Sequence, residues 1–227
     1  SPPDFRVPLA PAQCALLIKA YPHLSMVAES YPERCFPDEE YKKNGIPVVN
    51  ELNDCNVILG VKEVPVDALI ENKTYLFFSH TIKKQEHNRK LLQAILKKNI
   101  RLIDYECLKY PNNGRVVGFG RYAGIVGAYN AFRGWGERTG TFRLKPAHLC
   151  FDRKELEDEL KQVTLAPIKI LLTGAGKVGN GAKEILDYLS ILEVSWQDFI
   201  SQSYQEAVYT QVEFPVYNRR KDGTAFT

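Results

Sequence analysis

The sequence predicts an α/β fold in which an amino-terminal parallel-sheet domain is followed by a second, shorter α/β unit. Three observations carry this. Compact apolar runs of strand length alternate with helical patterns over residues 56–104, the arrangement of a parallel sheet covered by helices. Tyr122–Arg138 is rich in glycine and alanine and suits a tightly packed helix. A last strand pattern, Ile168–Thr173, runs directly into Gly174-Ala175-Gly176-Lys177-Val178-Gly179.

The elements follow in order. Pro11 stands where a helix starts, so Ala12–Ala20 reads as helical. Ser25–Ala28 reads as a short strand. Asp38, Glu39 and Glu40 suit a helix amino end and Gly45 its stop. Asn56–Val61 and Thr74–Phe78 read as buried strands, with a short helix or turn at Pro65–Ile70 between them. Gln85–Lys98 is amphipathic, with Leu91, Leu92, Ile95 and Leu96 on its inward stripe. Arg101–Asp104 reads as a third strand and Arg115–Gly118 as a fourth. Residues 1–150 are therefore expected to form the first domain, 151–166 a linker containing a charged helix at Arg153–Lys161, and 167–227 the second domain. The tail from Ser201 is polar and shows no further strand–helix–strand unit.

Composition narrows the function classes. Thirty basic residues against 27 acidic ones leave a charge of +3, too weak a bias for a nucleic-acid binder. No apolar run approaches the ~20 residues that span a bilayer, and no signal peptide is read at the start. The five cysteines, Cys14, Cys35, Cys55, Cys107 and Cys150, are widely spaced and form no CxxC. Reduced thiols in a cytoplasmic protein are expected, with neither a disulfide scaffold nor a metal site.

Gly174, Gly176 and Gly179 have GxGxxG spacing, and Lys177–Leu189 reads as the helix that follows. The first glycine permits a tight turn and the second lets a pyrophosphate approach the backbone. The third lets helix and strand pack closely. The helix amino end offers N–H groups and partial positive charge to phosphate. This is the opening of a Rossmann-type dinucleotide-binding domain, which predicts NAD or NADP as cofactor. The acidic residue that receives the ribose is expected about 20 residues further on. Asp198 is in range but reads as part of a helix, so the contact stays unassigned. Only half of a dinucleotide domain fits after Ile168, so this domain is expected to be incomplete here.

In open parallel sheets, ligands bind beyond the carboxyl ends of the strands. Lys62-Glu63, Ser79-His80 and Tyr105-Glu106 stand at those ends, each pair with a titratable side chain.

Taken together, Arg6-Val7-Pro8-Leu9-Ala10-Pro11, Gly60-Val61-Lys62-Glu63-Val64-Pro65, Phe78-Ser79-His80-Thr81-Ile82-Lys83, Asp104-Tyr105-Glu106, Gly114–Gly120, Tyr122-Ala123-Gly124 and the glycine turn resemble the family of saccharopine dehydrogenase (lysine-forming) and lysine-ketoglutarate reductase, related to alanine dehydrogenase. The resemblance spans nearly the whole chain. It implies an NAD(P)-dependent oxidoreductase of amino-acid metabolism, in which an amine carbon is reversibly oxidised to an imine that water splits. In that family a lysine and a histidine flank the reacting carbon, and these match Lys62 and His80. The carboxylate-binding arginine matches Arg6. Gln85, Arg115 and Phe119 match further substrate contacts, and Glu63, Lys83 and Glu106 match charged residues around the site. Gly174, Gly176, Lys177, Val178 and Gly179 match the cofactor turn. Asp4 stands where some members have Glu, and the strand and basic residue that precede this region in the family are absent.

The implied chemistry needs a base for the amine and an acid–base group for imine hydrolysis. Lysine near other cations, and histidine without help, titrate in the useful range, so Lys62 is expected as the base and His80 as the acid–base group. Arg6 and Arg115 suit carboxylates, which guanidinium grips through paired hydrogen bonds. The plainer readings are a solvated lysine, a structural histidine and surface arginines. Two other activities remain open: alanine dehydrogenase, and a non-catalytic module that binds a nucleotide or amino acid. The expected partner is a small amino-acid or keto-acid substrate.

Overall fold

Helix starts and stops follow local sequence chemistry. The computed structural model describes residues 4–224; residues 225–227 of the expected polar tail lie outside them. Pro11 occupies the first turn of α1 (Pro11–Ala20), and the Gln13 side chain accepts the Ala10 N–H at 2.9 Å. Asp38, Glu39 and Glu40 open α2 (Asp38–Lys43), Lys42 and Lys43 close it, and Gly45 turns away at φ +77°, as the helix dipole and left-handed stop require. The chain forms two units, Ser1–Gly118 and Phe119–Thr227.

In the first unit, β1 (Ala28–Glu29) pairs in parallel with β2 (Val48–Val49); β1 begins where the expected strand ends. The two strands and both helices enclose Cys14, Tyr41 and Ile46. The main sheet is parallel, in the order β3 (Val57–Lys62), β4 (Thr74–Phe78), β5 (Arg101–Asp104). Central β4 buries Tyr75, Phe77 and Phe78. Edge strand β3 buries only Ile58, with Val57 and Leu59 exposed, so the run expected to be buried throughout alternates instead. A 3-10 turn, Glu86–Asn88, precedes α3 (Arg89–Lys97). Its stripe is narrower than expected: Leu91 and Ile95 join Ile58 and Phe77 in the core, whereas Leu92 is 40% and Leu96 72% exposed.

The expected strand Arg115–Gly118 does not form. Its place is taken by a tight loop with one antiparallel bridge, Lys109 to Arg115, closed by the Tyr110 N–H donating to the Gly114 carbonyl at 2.8 Å. One bridge beside an exposed Val116 gives no ladder to extend.

The second unit starts with α4 (Gly120–Thr139) and continues through α5 (Arg153–Leu160), β6 (Lys169–Thr173) and α6 (Lys177–Tyr188). It then adds β7 (Leu192–Glu193), α7 (Trp196–Ser201), β8 (Val208–Val212) and α8 (Phe214–Tyr217). Ile125, Tyr129, Phe132, Leu156, Leu160 and Ile185 share its core. The units divide at Gly118/Phe119, whereas the sequence reading ends the first domain at 150 and begins the second at 167, with a linker between. The segment read as a linker supplies buried side chains, because α5 turns Leu156 and Leu160 inward behind an Asp152 cap on the Glu155 N–H at 2.9 Å.

Two features of this sheet differ from expectation. The polar tail holds β8, whose Val208, Tyr209, Thr210 and Val212 are buried; tyrosine, threonine and glutamine made a central strand read as surface. The sheet order is β6-β8-β7, all parallel, whereas in a Rossmann unit the strand after the first helix lies directly beside the first strand.

Glycines allow α4 and α6 to approach closely. A Cβ on Gly124 would meet the Val178 carbonyl oxygen at 2.0 Å, and one on Gly181 the Arg121 carbonyl oxygen at 2.0 Å. Arg121 and Arg153 then converge on Glu184, whose carboxyl they hold down at about 2, with the Arg121 hydrogen bond as the main cause. Among the described residues no helix is long and apolar enough to cross a membrane, and no cluster of three or more His, Cys, Asp or Glu could hold a metal.

Candidate active site

The first candidate site lies at the carboxyl ends of β4 and β5 in the first unit. Ser79 and Asp104 stand at those ends and are buried. The Ser79 hydroxyl donates to Asp104 Oδ2 and accepts from the Thr81 hydroxyl and the Thr81 N–H, at 2.8 and 3.2 Å. Asp104 Oδ1 accepts the Glu106 N–H at 2.8 Å. This network fixes Glu106, itself only 8% exposed.

Glu106 is a hub for positive charge. Its Oε2 lies 3.1 Å from His80 Nδ1, and its Oε1 lies 3.3 Å from Lys83 Nζ and 3.1 Å from an Arg115 Nη2. Lys83 Nζ is also 3.3 Å from His80 Nδ1. With Nδ1–H donated to Glu106, Lys83 has only the carboxylate to serve. That hydrogen bond sets the tautomer and leaves Nε2 as the proton-accepting nitrogen. The His80 ring stacks on Phe78 at 6.2 Å between centroids. Its backbone is left-handed at φ +55°, a conformation that costs a non-glycine residue about 1 kcal/mol or more. The His80 carbonyl accepts from the Lys83 N–H at 3.1 Å and the Asn88 side chain at 3.4 Å, which hold the turn.

Lys62 ends β3 in register with Phe78 of β4, two residues before His80. It is exposed and close enough to Asp4 for its charge to help lower that carboxyl. The larger cause at Asp4 is Arg6, whose guanidinium donates to both carboxylate oxygens at 2.8 and 2.6 Å. Glu63 and Gln85 are exposed and stand apart from the ion pairs that Glu106 makes with His80, Lys83 and Arg115. Phe119 opens the second unit as the cap of α4, 42% exposed. Sequence reasoning missed the roles of Ser79 and Asp104. Their signal was polar residues at the ends of neighbouring apolar strands.

Glu106 makes the first unit's stability acid-sensitive. The His80 hydrogen bond chiefly, with Lys83, holds its carboxyl below the ordinary 4.5 and outweighs burial, which pushes the other way. A lowered folded-state value means the contribution is fully present above about 4.5 and disappears as pH falls through the folded-state value. Denaturation midpoints should therefore drop with acid below that pH. Glu106→Gln should flatten this fall, and an unchanged pH profile would remove Glu106 as the hub.

The second candidate site is the turn between β6 and α6. Gly174 has φ +87°. Gly176 caps α6 in extended conformation, with nothing within 4 Å of a Cβ built on it. Gly179 is buried, and its Cβ would meet the Gly174 carbonyl oxygen at 2.0 Å. Lys177 and Val178 form the exposed first turn of the helix. A tight turn, an open cradle and a close-packed third glycine are the three features a pyrophosphate-binding loop needs, so these residues fit a dinucleotide.

The chain is similar in sequence and fold to known proteins. The model of the family described as alanine dehydrogenase/PNT, N-terminal domain, matches residues 1–126. The mouse protein named alpha-aminoadipic semialdehyde synthase, mitochondrial, is 33% identical over 202 residues, covering 81% of this chain and 22% of the relative. Saccharopine dehydrogenase [NAD(+), L-lysine-forming] of Emericella nidulans is 30% identical over 212 residues, covering 85% of this chain and 55% of the relative. The chain thus spans a minor part of the first and just over half of the second. A solved L-alanine dehydrogenase has a TM-score of 0.59 at 19% identity, over 91% of this chain and 57% of that one, a likeness of fold.

Proposed function

We propose, because this chain belongs to the alanine dehydrogenase/PNT N-terminal domain family, that it forms the amino-acid site and the first half of the cofactor site of an NAD(P)-dependent dehydrogenase of the lysine–saccharopine type. The reaction is the reversible oxidation of an amine carbon to an imine, followed by hydrolysis. The observation that carries this reading is Glu106 fixing His80 Nδ1 at 3.1 Å while Lys62 ends the adjacent strand. A catalytic base and a separate acid–base group are what an amine-to-carbonyl conversion needs.

Lys62 takes the proton of the substrate amine. His80, oriented by Glu106, exchanges protons with water and the carbinolamine during imine hydrolysis. Arg6 and Arg115 receive substrate carboxylates, and their pairing with Asp4 and Glu106 holds each guanidinium in place. Glu63, Lys83 and Gln85 complete the substrate surroundings. A bound nicotinamide supplies the hydride acceptor, and Gly174, Gly176, Lys177, Val178 and Gly179 would hold its pyrophosphate. The five cysteines are free thiols, which supports a reducing compartment such as the cytoplasm.

A substrate screen of the full polypeptide tests this. Turnover is expected with saccharopine, or with lysine plus 2-oxoglutarate, and NAD or NADP. Turnover confined to pyruvate and ammonia would make it an alanine dehydrogenase. Calorimetric ligand binding with no turnover would make it a binding module.

A further inference from the structure

Two side-chain amides hold the peptides of the glycine turn in one orientation. Gln211 is half-buried on β8, the strand beside β6, and Asn180 is exposed in the first turn of α6. Gln211 Nε2 donates to the Gly174 carbonyl at 2.9 Å and to Asn180 Oδ1 at 3.4 Å. Asn180 Nδ2 donates to the Ala175 carbonyl at 3.1 Å. The sense of both amides follows. A carbonyl can only accept, so each faces an amide nitrogen, and Asn180 Oδ1 remains for the second Gln211 proton.

The third glycine makes room for this relay. Gly179 is buried, and a Cβ on it would lie 3.2 Å from Gln211 Nε2, closer than side chains ordinarily approach. Glycine there lets the amide reach the turn beside the helix.

A trans peptide sets its N–H opposite its carbonyl. Tying the Gly174 carbonyl to Gln211 therefore aims the Ala175 N–H the other way. Tying the Ala175 carbonyl to Asn180 does the same for the Gly176 N–H. Neither N–H donates to another group among the described residues. Gly174, at φ +87°, occupies a region that glycine enters without steric cost. The turn thus has the backbone freedom to present the Gly174–Ala175 peptide in either sense. The reversed sense would point a carbonyl oxygen where the N–H now points, and would repel a phosphate.

We infer that Gln211 and Asn180 are positioning residues that keep the Ala175 and Gly176 N–H groups turned outward for the oxygens of a pyrophosphate. Successive oriented amides form a concavity for an anion without a charged side chain. The inference rests on the reading of Gly174–Gly179 as a pyrophosphate turn, and the two residues act through the turn rather than on the ligand.

Calorimetric titration of the full polypeptide with NAD and with NADP tests it, using wild type, Gln211→Met, Gln211→Glu and Asn180→Ala, with each denaturation midpoint measured alongside. Gln211→Met keeps the length of the side chain and removes both donors. It should weaken whichever dinucleotide wild type binds by about tenfold, because binding must then order the turn. Gln211→Glu sets a carboxylate against the Gly174 carbonyl and should weaken it further. Asn180→Ala should weaken binding by about threefold at an unchanged midpoint, since its side chain is exposed. Wild type binding neither dinucleotide would overturn the pyrophosphate turn and this assignment with it. Wild-type affinity in both Gln211→Met and Asn180→Ala would overturn the positioning role alone. Weak binding by Gln211→Met with a lowered midpoint, beside wild-type affinity in Asn180→Ala, would mark Gln211 as structural and overturn it too. Gln211→Glu binding as tightly as Gln211→Met would also overturn it. If neither Gln211 variant folds, Asn180→Ala decides by itself.

Discussion

Replacing Lys62 with Met, or His80 with Gln, should lower kcat by about 10²–10⁴-fold, the usual contribution of a positioned acid or base. Met keeps the length and apolar stem of Lys62 and removes its only titratable group. The Lys62 side chain is exposed at the end of β3, so the denaturation midpoint should move little and the loss falls on turnover. Gln at position 80 keeps an amide that can donate to Glu106 but cannot serve as an acid or base near neutral pH. His80 is held at φ +55° by its neighbours, so its midpoint must be measured beside its rate. Near-normal kcat in either variant takes that residue out of the mechanism, and lost activity accompanied by unfolding of His80→Gln would mark a structural histidine. His80→Asn, with a side chain that tolerates the left-handed region better, separates these outcomes.

The second large effect is expected in the glycine turn, and it divides by position. Gly179→Ala should cost about 2–4 kcal/mol of stability, read from the denaturant midpoint. The new Cβ would lie 2.0 Å from the Gly174 carbonyl oxygen, a backbone atom, so strand and helix must separate. Alanine's better helix propensity returns only about 1 kcal/mol, so the clash decides the sign. Gly176→Ala meets nothing within 4 Å and should leave stability within about 0.5 kcal/mol. A methyl there would narrow the open cradle that a pyrophosphate needs, so dinucleotide binding should fall while the fold persists. Equal stability of the two variants would contradict the packing geometry. Undiminished binding by Gly176→Ala would place the phosphates elsewhere.

Much of the fold was legible because it is written in local chemistry. Pro11, the acids of Asp38–Glu40, the apolar run Thr74–Phe78 and the glycine turn each specify their element from neighbours in sequence. The candidate site was legible in the same way: polar residues that directly follow apolar strands reach the ligand-binding edge of a parallel sheet. Lys62, His80 and Glu106 stand at or just beyond such ends.

Tertiary structure decided what depends on which elements become neighbours. Leu92 and Leu96 look inward on a helical wheel but are exposed, because burial depends on what packs against the helix. Ser79 and Asp104 became a buried support for Glu106 only when β4 and β5 paired. The sequence by itself determined a parallel α/β chain with a strand–glycine turn–helix unit. It could not show that β8 inserts between β6 and β7, since strand order follows from long-range pairing and burial of Tyr209 and Val212 rather than from spacing along the chain. That insertion places the carboxyl end of β8 beside the turn.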